Sequence, residues 1–176
     1  GIRQIHLQDD CESFNKARKR LVFEELFSMQ LALLSLKNKY EIKKPGIEFD
    51  KDAKMSDVID SLPFKLTGAQ RRVLEEIDND MESNKPMNRL LQGDVGSGKT
   101  VVALIAAYKA VKSGYQAVIM APTAILATQH LESFENTLKD FGIKCELLIS
   151  GVTKKKKQDI LDRLAAGEID VLIGTH

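Results

Sequence analysis

The 176-residue chain holds only two cysteines, Cys11 and Cys145, far apart and with no paired spacing. They form neither a disulfide framework nor a thiolate metal site, which points to a reducing, cytoplasmic setting. Its three histidines, His6, His130 and His176, are equally scattered and show no ligand spacing. No apolar run approaches the roughly 18 residues that a membrane span needs, so no membrane partner is expected. The N-terminus lacks the pattern of a secretory signal. Net charge is nearly absent too, since 26 Lys and Arg against 25 Asp and Glu leave +1. Bulk attraction to nucleic acid is therefore excluded, and any such contact must come from a local patch.

What is present is a globular composition, 43% hydrophobic and 29% charged, which excludes a disordered tail or a fibre. At this length about 70% of the unfolded surface can be buried, enough for one core and an appendage. The sequence opens on Gly1 and stops at His176, just after a strand-like run, and so reads as a piece of something longer.

Glycine and proline are missing from residues 11–39, which predicts one long helix. Its first half carries Lys16, Arg18, Lys19 and Arg20; its second half packs Leu21, Val22, Phe23, Leu26, Phe27, Met29, Leu31, Leu33, Leu34 and Leu36 nearly all round. A helix apolar on most faces must be covered on most faces. The plain reading is a packing or inter-domain strut, and a partner-binding helix is the alternative. The run Glu41-Ile42-Lys43-Lys44-Pro45-Gly46 then breaks the periodicity, and Pro63 closes a short Asp-rich stretch. A helical linker region over 1–62 and a second domain over 63–176 are expected.

Beyond this seam the pattern predicts a helix over 67–82 and a short strand over 88–92 ending in a glycine-rich turn. A helix over 100–112 follows, stopped by Gly114. Strands over 117–121, 145–149 and 170–173 then alternate with helices over 124–141 and 153–166. Strands rich in Val, Ile and Leu between helices of this length indicate an α/β fold with a parallel sheet and crossover helices. Ligands of such sheets bind beyond the carboxyl ends of the strands.

Gly93-Asp94-Val95-Gly96-Ser97-Gly98-Lys99-Thr100 fits the spacing of a phosphate-binding P-loop, G-x-x-x-x-G-K-[ST]. At average glycine usage a chance match in such a chain is roughly 1% or less. Glycines let the backbone turn until successive N–H groups point at a triphosphate, and the helix that follows adds its N-terminal donors and dipole. Lys99 would supply a point charge to the β- and γ-phosphates, and the Thr100 hydroxyl would ligate Mg²⁺. A guanine reader N-K-x-D is missing, because Asn84-Lys85-Pro86-Met87 lacks the aspartate and precedes the loop. Upstream, Thr67 and Gln70 have the spacing of a capping box. The Gln70 amide could also pair with adenine N6 and N7, with Phe64 or Leu66 on the purine face. The expected cofactors are ATP and Mg²⁺.

Four motifs now stand in order: Phe64-x-Leu66-Thr67-x-x-Gln70; Gln92 through Thr100; Ala121-Pro122-Thr123-Ala124-Ile125-Leu126-Ala127-x-Gln129-His130; and Ile173-Gly174-Thr175-His176. Together they resemble the opening motifs of superfamily-two DNA helicases, specifically the RecG branch-migration family. The Mfd-type translocases share much of the pattern, but usually have Phe where this chain has Ser97. The flank from Arg18 to Phe27 with Leu31 to Leu34 is also similar to the helix that joins the RecG wedge domain to its motor. The resemblance runs from about residue 6 to the end.

The resemblance implies a RecA-like P-loop motor that moves on branched double-stranded DNA and remodels stalled forks and Holliday junctions in repair and recombination. It implies that Gln70 reads adenine and that Gly93 to Thr100 hold triphosphate and Mg²⁺. It further implies that Pro122, Thr123, Gln129, Thr175 and His176 contact the DNA backbone. On the residues alone, Ala121-Pro122-Thr123 is a strand end and an N-cap. Lys154 to Lys157 form a solvated face or, in the minority reading, a phosphate-contacting patch.

A P-loop motor also needs a carboxylate pair for Mg²⁺ and an arginine finger, the latter from a second motor domain in these helicases. No apolar strand ending in Asp-Glu follows residue 100, and Glu168-Ile169-Asp170 precedes its strand. The chain by itself is therefore expected to bind ATP and hydrolyse it negligibly. In the fold that the resemblance implies, the strand carrying this pair lies inside the sheet, so without it the sheet should be incomplete, with unpaired edges and bare apolar surface. Two other classes are weighed: a different P-loop ATPase, such as a transporter ATPase or small-molecule kinase, and a non-enzymatic module built on the long apolar helix.

Overall fold

The structure, a computed structural model, describes residues 11–43 and 46–175, with the backbone alone over 37–43. The chain divides into two compact units, Gly1–Pro45 and Gly46–His176. This division falls earlier than the expected one after residue 62, for a packing reason. Met55, Val58 and Leu62 join the core of the second unit, and the Phe49 N–H donates to the Met81 carbonyl at 2.9 Å. Gly46 is required where this strap crosses the chain, because a Cβ there would overlap the backbone of Lys85 and Pro86.

The first unit is α1 (Cys11–Lys43), unbroken as the lack of Gly and Pro predicts. Arg20 pairs with Glu24 one turn on at 2.8 Å, and Phe23 stacks on Phe27 with ring centroids 5.6 Å apart. Phe23, Leu26, Phe27, Leu33 and Leu34 are all about half exposed, so the helix shows apolar surface on several faces.

The second unit begins with α2 (Ser56–Asp60) and α3 (Gly68–Met81). Then come α4 (Lys99–Lys112), β1 (Ala117–Met120) and α5 (Ala124–Leu138), which tightens into a 3₁₀ turn over Lys139–Phe141. β2 (Cys145–Leu148), α6 (Lys154–Ala165) and β3 (Val171–Gly174) complete it. Three helices start on a threonine whose hydroxyl accepts a backbone N–H: Thr67 for α3, Thr123 for α5 and Thr153 for α6. At the end of α4, Gly114 lies in the left-handed region. Its N–H donates to Val111 and that of Tyr115 donates to Ala110, closing the helix with a Schellman motif.

The three strands are parallel in the order β1-β3-β2. The path steps two places from β1 to β2 through α5, then one place back to β3 through α6. Right-handed crossovers in opposite directions put the two helices on opposite faces. The core records this layering. Val171 and Ile173 of β3 pack with Phe134 and Leu138 of α5, while Leu172 between them packs with Ile160 of α6 and with Ile169. The main core continues through Leu104 and Ile105 of α4 into Leu74 and Ile77 of α3, so both helices that frame the glycine-rich loop rest on it.

The strand expected over 88–92 is corrected. The segment is not in the sheet, and Leu90 is 91% exposed. An extended segment becomes a strand only by pairing, and among the described residues none lies beside it. The sheet ends at β1, whose outer edge carries no partner there. By register Val118 lies opposite Leu172 and so shares its face, yet Val118 and Met120 are 68% and 63% exposed.

Two outcomes follow from this packing. Light scattering at tens of micromolar should show self-association, and Val118→Lys with Met120→Lys should reduce it while leaving the unfolding midpoint nearly unchanged. Stability should also fall at alkaline pH. Burial pushes the Cys145 thiol from 9.0 to about 11, with Glu135 and Asp170 adding to it. Burial alone would lower Lys109, but hydrogen bonds to Asp78 and Glu82 outweigh it and hold the ammonium above its usual 10.5. Both folded values are raised, so both contributions are complete at neutral pH and disappear as pH climbs through them. Thermal midpoints should decline from about pH 9 to 11, and Cys145→Ala should flatten the first part of that decline.

Candidate functional site

Residues 93–98 leave the main core and turn through two glycines in the left-handed region, Gly96 and Gly98, both at φ +81°. Gly98 is the N-cap of α4, so the reversal of the backbone is completed as the helix begins. This delivers Lys99 and Thr100 on the first helical turn, where unpaired N–H groups and the helix dipole favour an anion. The Lys99 ammonium folds back across the loop and donates to the carbonyls of Gly93 and Asp94, both at 2.8 Å. Ser97 N–H donates to the Asp94 carbonyl at 3.2 Å, which closes the turn behind it. Val95 at the tip is fully exposed and is held by no packing.

The loop is tied to α3 through one side chain. Thr67 and Gln70 form the reciprocal capping box, with Gln70 N–H donating to Thr67 Oγ1 at 3.2 Å and Thr67 N–H donating to Gln70 Oε1 at 2.8 Å. The other end of the Gln70 amide, Nε2, donates to the Ser97 carbonyl at 3.0 Å. Each polar atom keeps one further bonding site, a lone pair on Oε1 and a hydrogen on Nε2. A cavity of about 380 Å³ opens here, lined among others by Thr67, Gln70, Gly93, Asp94, Ser97 and Lys99. Glycine at two positions here keeps polar side chains in place: a Cβ on Gly98 would displace the Gln70 amide nitrogen, and one on Gly93 would come within 2.8 Å of Ser97 Oγ.

Of the expected site residues, Gln70, Gly93, Asp94, Ser97 and Lys99 line this one cavity. Val95, Gly96, Gly98 and Thr100 belong to the same loop and the helix it opens. Phe64 is not brought to it; half exposed, it lines a separate cavity of about 390 Å³ with Lys65, Leu66 and Arg71. The residues expected to meet DNA form a second group. Ala121 N–H donates to the Gly174 carbonyl at 2.8 Å, which sets the exposed Pro122 and Thr123 beside Thr175 at the carboxyl ends of adjacent strands. Thr123 Oγ1 caps α5 by accepting from Leu126 N–H at 3.3 Å. Gln129 is exposed on the second turn of α5. Thr175 Oγ1 is buried with no partner among the described residues, and His176 lies outside them. Lys154 to Lys157 are all exposed, as for a solvated face.

Two cations that pair with the C-terminal half of α3 were missed by sequence reasoning. Arg89 Nη1 donates to Glu76 Oε2 at 2.5 Å and its Nε to Asp80. Lys109, only 1% exposed, donates to Glu82 Oε1 at 2.7 Å and to Asp78. The Arg89 hydrogen bond holds the Asp80 carboxyl below the usual carboxylate range. Both partners were legible as a signal, since Glu76 and Asp80, like Asp78 and Glu82, stand four apart on α3, and Lys109 interrupts an otherwise apolar stripe of α4.

Residues 67–176 match the DEAD/DEAH box helicase family. The chain is 46% identical over 178 residues to the ATP-dependent DNA helicase RecG of Bacillus subtilis, covering 100% of this chain and 26% of that one. It is 49% identical over 184 residues to the RecG of Aquifex aeolicus, covering 99% of this chain and 23% of the relative. A solved structure of RecG bound to a three-way DNA junction superposes with a TM-score of 0.84 at 48% identity, over 94% of this chain and 23% of that one. The chain thus spans about a quarter of the length of the relatives it matches.

Gly98→Ala and Gly96→Ala separate dihedral strain from contact. Both place a side chain at φ +81°, but only the first meets an obstacle, the Gln70 amide. Gly96→Ala should cost about 1–2 kcal/mol of stability. Gly98→Ala should cost more, and should also break the Gln70 bond to Ser97, read by chemical denaturation and by the side-chain amide signals of Gln70.

Proposed function

The chain belongs to the DEAD/DEAH box helicase family, and on that premise we propose that Gly93 to Thr100 grip the triphosphate of ATP for a DNA-translocating motor. The observation that carries the reading is the Lys99 ammonium drawn into the loop by the Gly93 and Asp94 carbonyls at the start of a helix. Phosphate oxygens offer this cation stronger partners than two neutral carbonyls, and the N–H groups at the head of α4 supply the remaining donors. The cavity beside it, lined by Gly93, Asp94, Ser97 and Lys99, gives room for a polyphosphate that backbone must approach closely. Thr100 follows Lys99 on the first turn and would hold Mg²⁺ through its hydroxyl. Bound Mg²⁺ supplies charge neutralisation on the β- and γ-phosphates.

In this reading Gln70 takes the adenine edge with the bonding sites left free by the capping box and Ser97, and Phe64 reaches the purine only by leaving its present cavity. Pro122, Thr123, Gln129, Thr175 and His176 serve the DNA backbone. The relatives' names and the junction-bound structure support the larger proposal. The chain is the ATP-binding lobe of an ATP-dependent helicase that moves on branched double-stranded DNA, remodelling stalled forks and Holliday junctions. A wedge domain and a second motor domain in cis would complete it. Without such partners the 176-residue chain is expected to hold ATP and turn it over negligibly. Among the described residues no helix is long and apolar enough to cross a membrane, and both cysteines are free; a cytoplasmic setting is proposed.

Equilibrium binding of a fluorescent ATP analogue in the presence of Mg²⁺ tests this. Lys99→Ala should weaken it by at least about tenfold, as expected for losing charge-assisted hydrogen bonds. Gln70→Ala should weaken ATP more than GTP. Unchanged affinity in the Lys99 variant would overturn the proposal.

A further inference from the structure

We propose that Arg89 and Lys109 are positioning residues of the nucleotide site, acting through α3 to set where the Gln70 amide meets the phosphate loop. The inference rests on the ATP-binding reading above and adds to it the parts that fix its geometry. Gln70 stands on the first turn of the 14-residue α3, whereas Glu76, Asp78 and Asp80 stand on its later turns and Glu82 is its C-cap. The four carboxylates form two i,i+4 pairs that, offset by two residues, lie on nearly opposite faces of the helix. Each pair is taken by one cation, and the two cations flank the loop in the chain. Arg89 lies four residues before Gly93, and Lys109 lies ten residues after Lys99. The end of α3 remote from Gln70 is thereby bonded to the segment that leads into the loop and to the helix that leads out of it.

The apolar contacts of α3 cannot do this. Leu74, Ile77 and Met81 press the helix onto the core, but burial is non-directional and does not fix a helix along its own axis. Ion pairs with defined donor atoms do. The rise of an α-helix is about 1.5 Å per residue, so a slip of one residue carries Gln70 too far to keep its bond to Ser97. Lys109 also has no apolar reason to stand where it does. An almost fully buried ammonium is tolerated only with its carboxylates in place, and removing one partner strands the others. Arg89 contributes through its forked guanidinium, which meets two carboxylates at once in a planar geometry that a lysine cannot copy.

The test measures affinity for a fluorescent ATP analogue with Mg²⁺, together with the thermal midpoint without nucleotide. The variants are Arg89→Gln, Arg89→Lys, Gln70→Ala, and a neutral triple of Asp78→Asn, Glu82→Gln and Lys109→Met that leaves no charge stranded. Arg89→Gln and the triple should each weaken the analogue about three- to tenfold, the effect of one lost hydrogen bond, with Arg89→Lys in between. Combined with Gln70→Ala, neither should weaken it beyond Gln70→Ala alone, because they act through that residue. Full affinity in the charge variants, or losses that add to that of Gln70→Ala, would overturn the inference. So would a lowered midpoint with unchanged affinity, which marks a purely structural role. If instead Lys99→Ala binds like the parent, the ATP reading itself fails and this inference goes with it.

Discussion

Gly98 adopts a backbone conformation that residues with a Cβ rarely take, and the geometry of the site depends on that choice. With φ positive at the N-cap, the chain reverses and enters α4 in the same step. The Ser97 carbonyl then faces the Gln70 amide, while the Gly93 and Asp94 carbonyls face the Lys99 ammonium. A side chain at position 98 would disturb both the dihedral and the Gln70 contact. The constraint is local in the chain, but its consequence is tertiary, since it joins a loop to a helix that begins thirty residues earlier.

Around that point the molecule is layered in the usual way of parallel sheets, with a central β3 buried on both faces and helices on either side. Its irregularities lie at the margins. β1 has an open edge and two bare side chains, and the segment before the phosphate loop has no ladder. Apolar surface is also exposed along α1. All three leave apolar side chains or backbone in solvent among the described residues.

Polar groups near the loop are used economically. The Gln70 amide serves a helix cap and a loop carbonyl with one half of its bonding capacity, leaving the other half free. The carboxylates of α3 balance the charge of a lysine whose ammonium burial alone would disfavour. Gln70 thus serves both the fold and the chemistry proposed for it, and substitutions here are best judged by binding and stability together.

Much of this was legible in the residues. The phosphate loop, the capping box of Thr67 and Gln70, the threonine N-caps and the glycine stops are short-range patterns, fixed by steric and hydrogen-bonding rules acting over a few neighbouring positions. With the Val-, Ile- and Leu-rich runs between the helices, they predicted α3 to α6 and all three strands of the sheet within a few residues. The strand at 88–92 failed because a strand is defined by a partner, and local pattern cannot say whether one is present. The boundary lies before the expected seam at residue 62 because residues 46–62 lack periodicity yet pack onto the second unit through Met55 and Val58. The Ser97 contact of Gln70 and the pairing of Arg89 and Lys109 with α3 join positions 9 to 31 residues apart. Sequence determined which groups could bond; only the folded arrangement of α3 against α4 decided which of them did, because distance in space is set by packing and not by order along the chain.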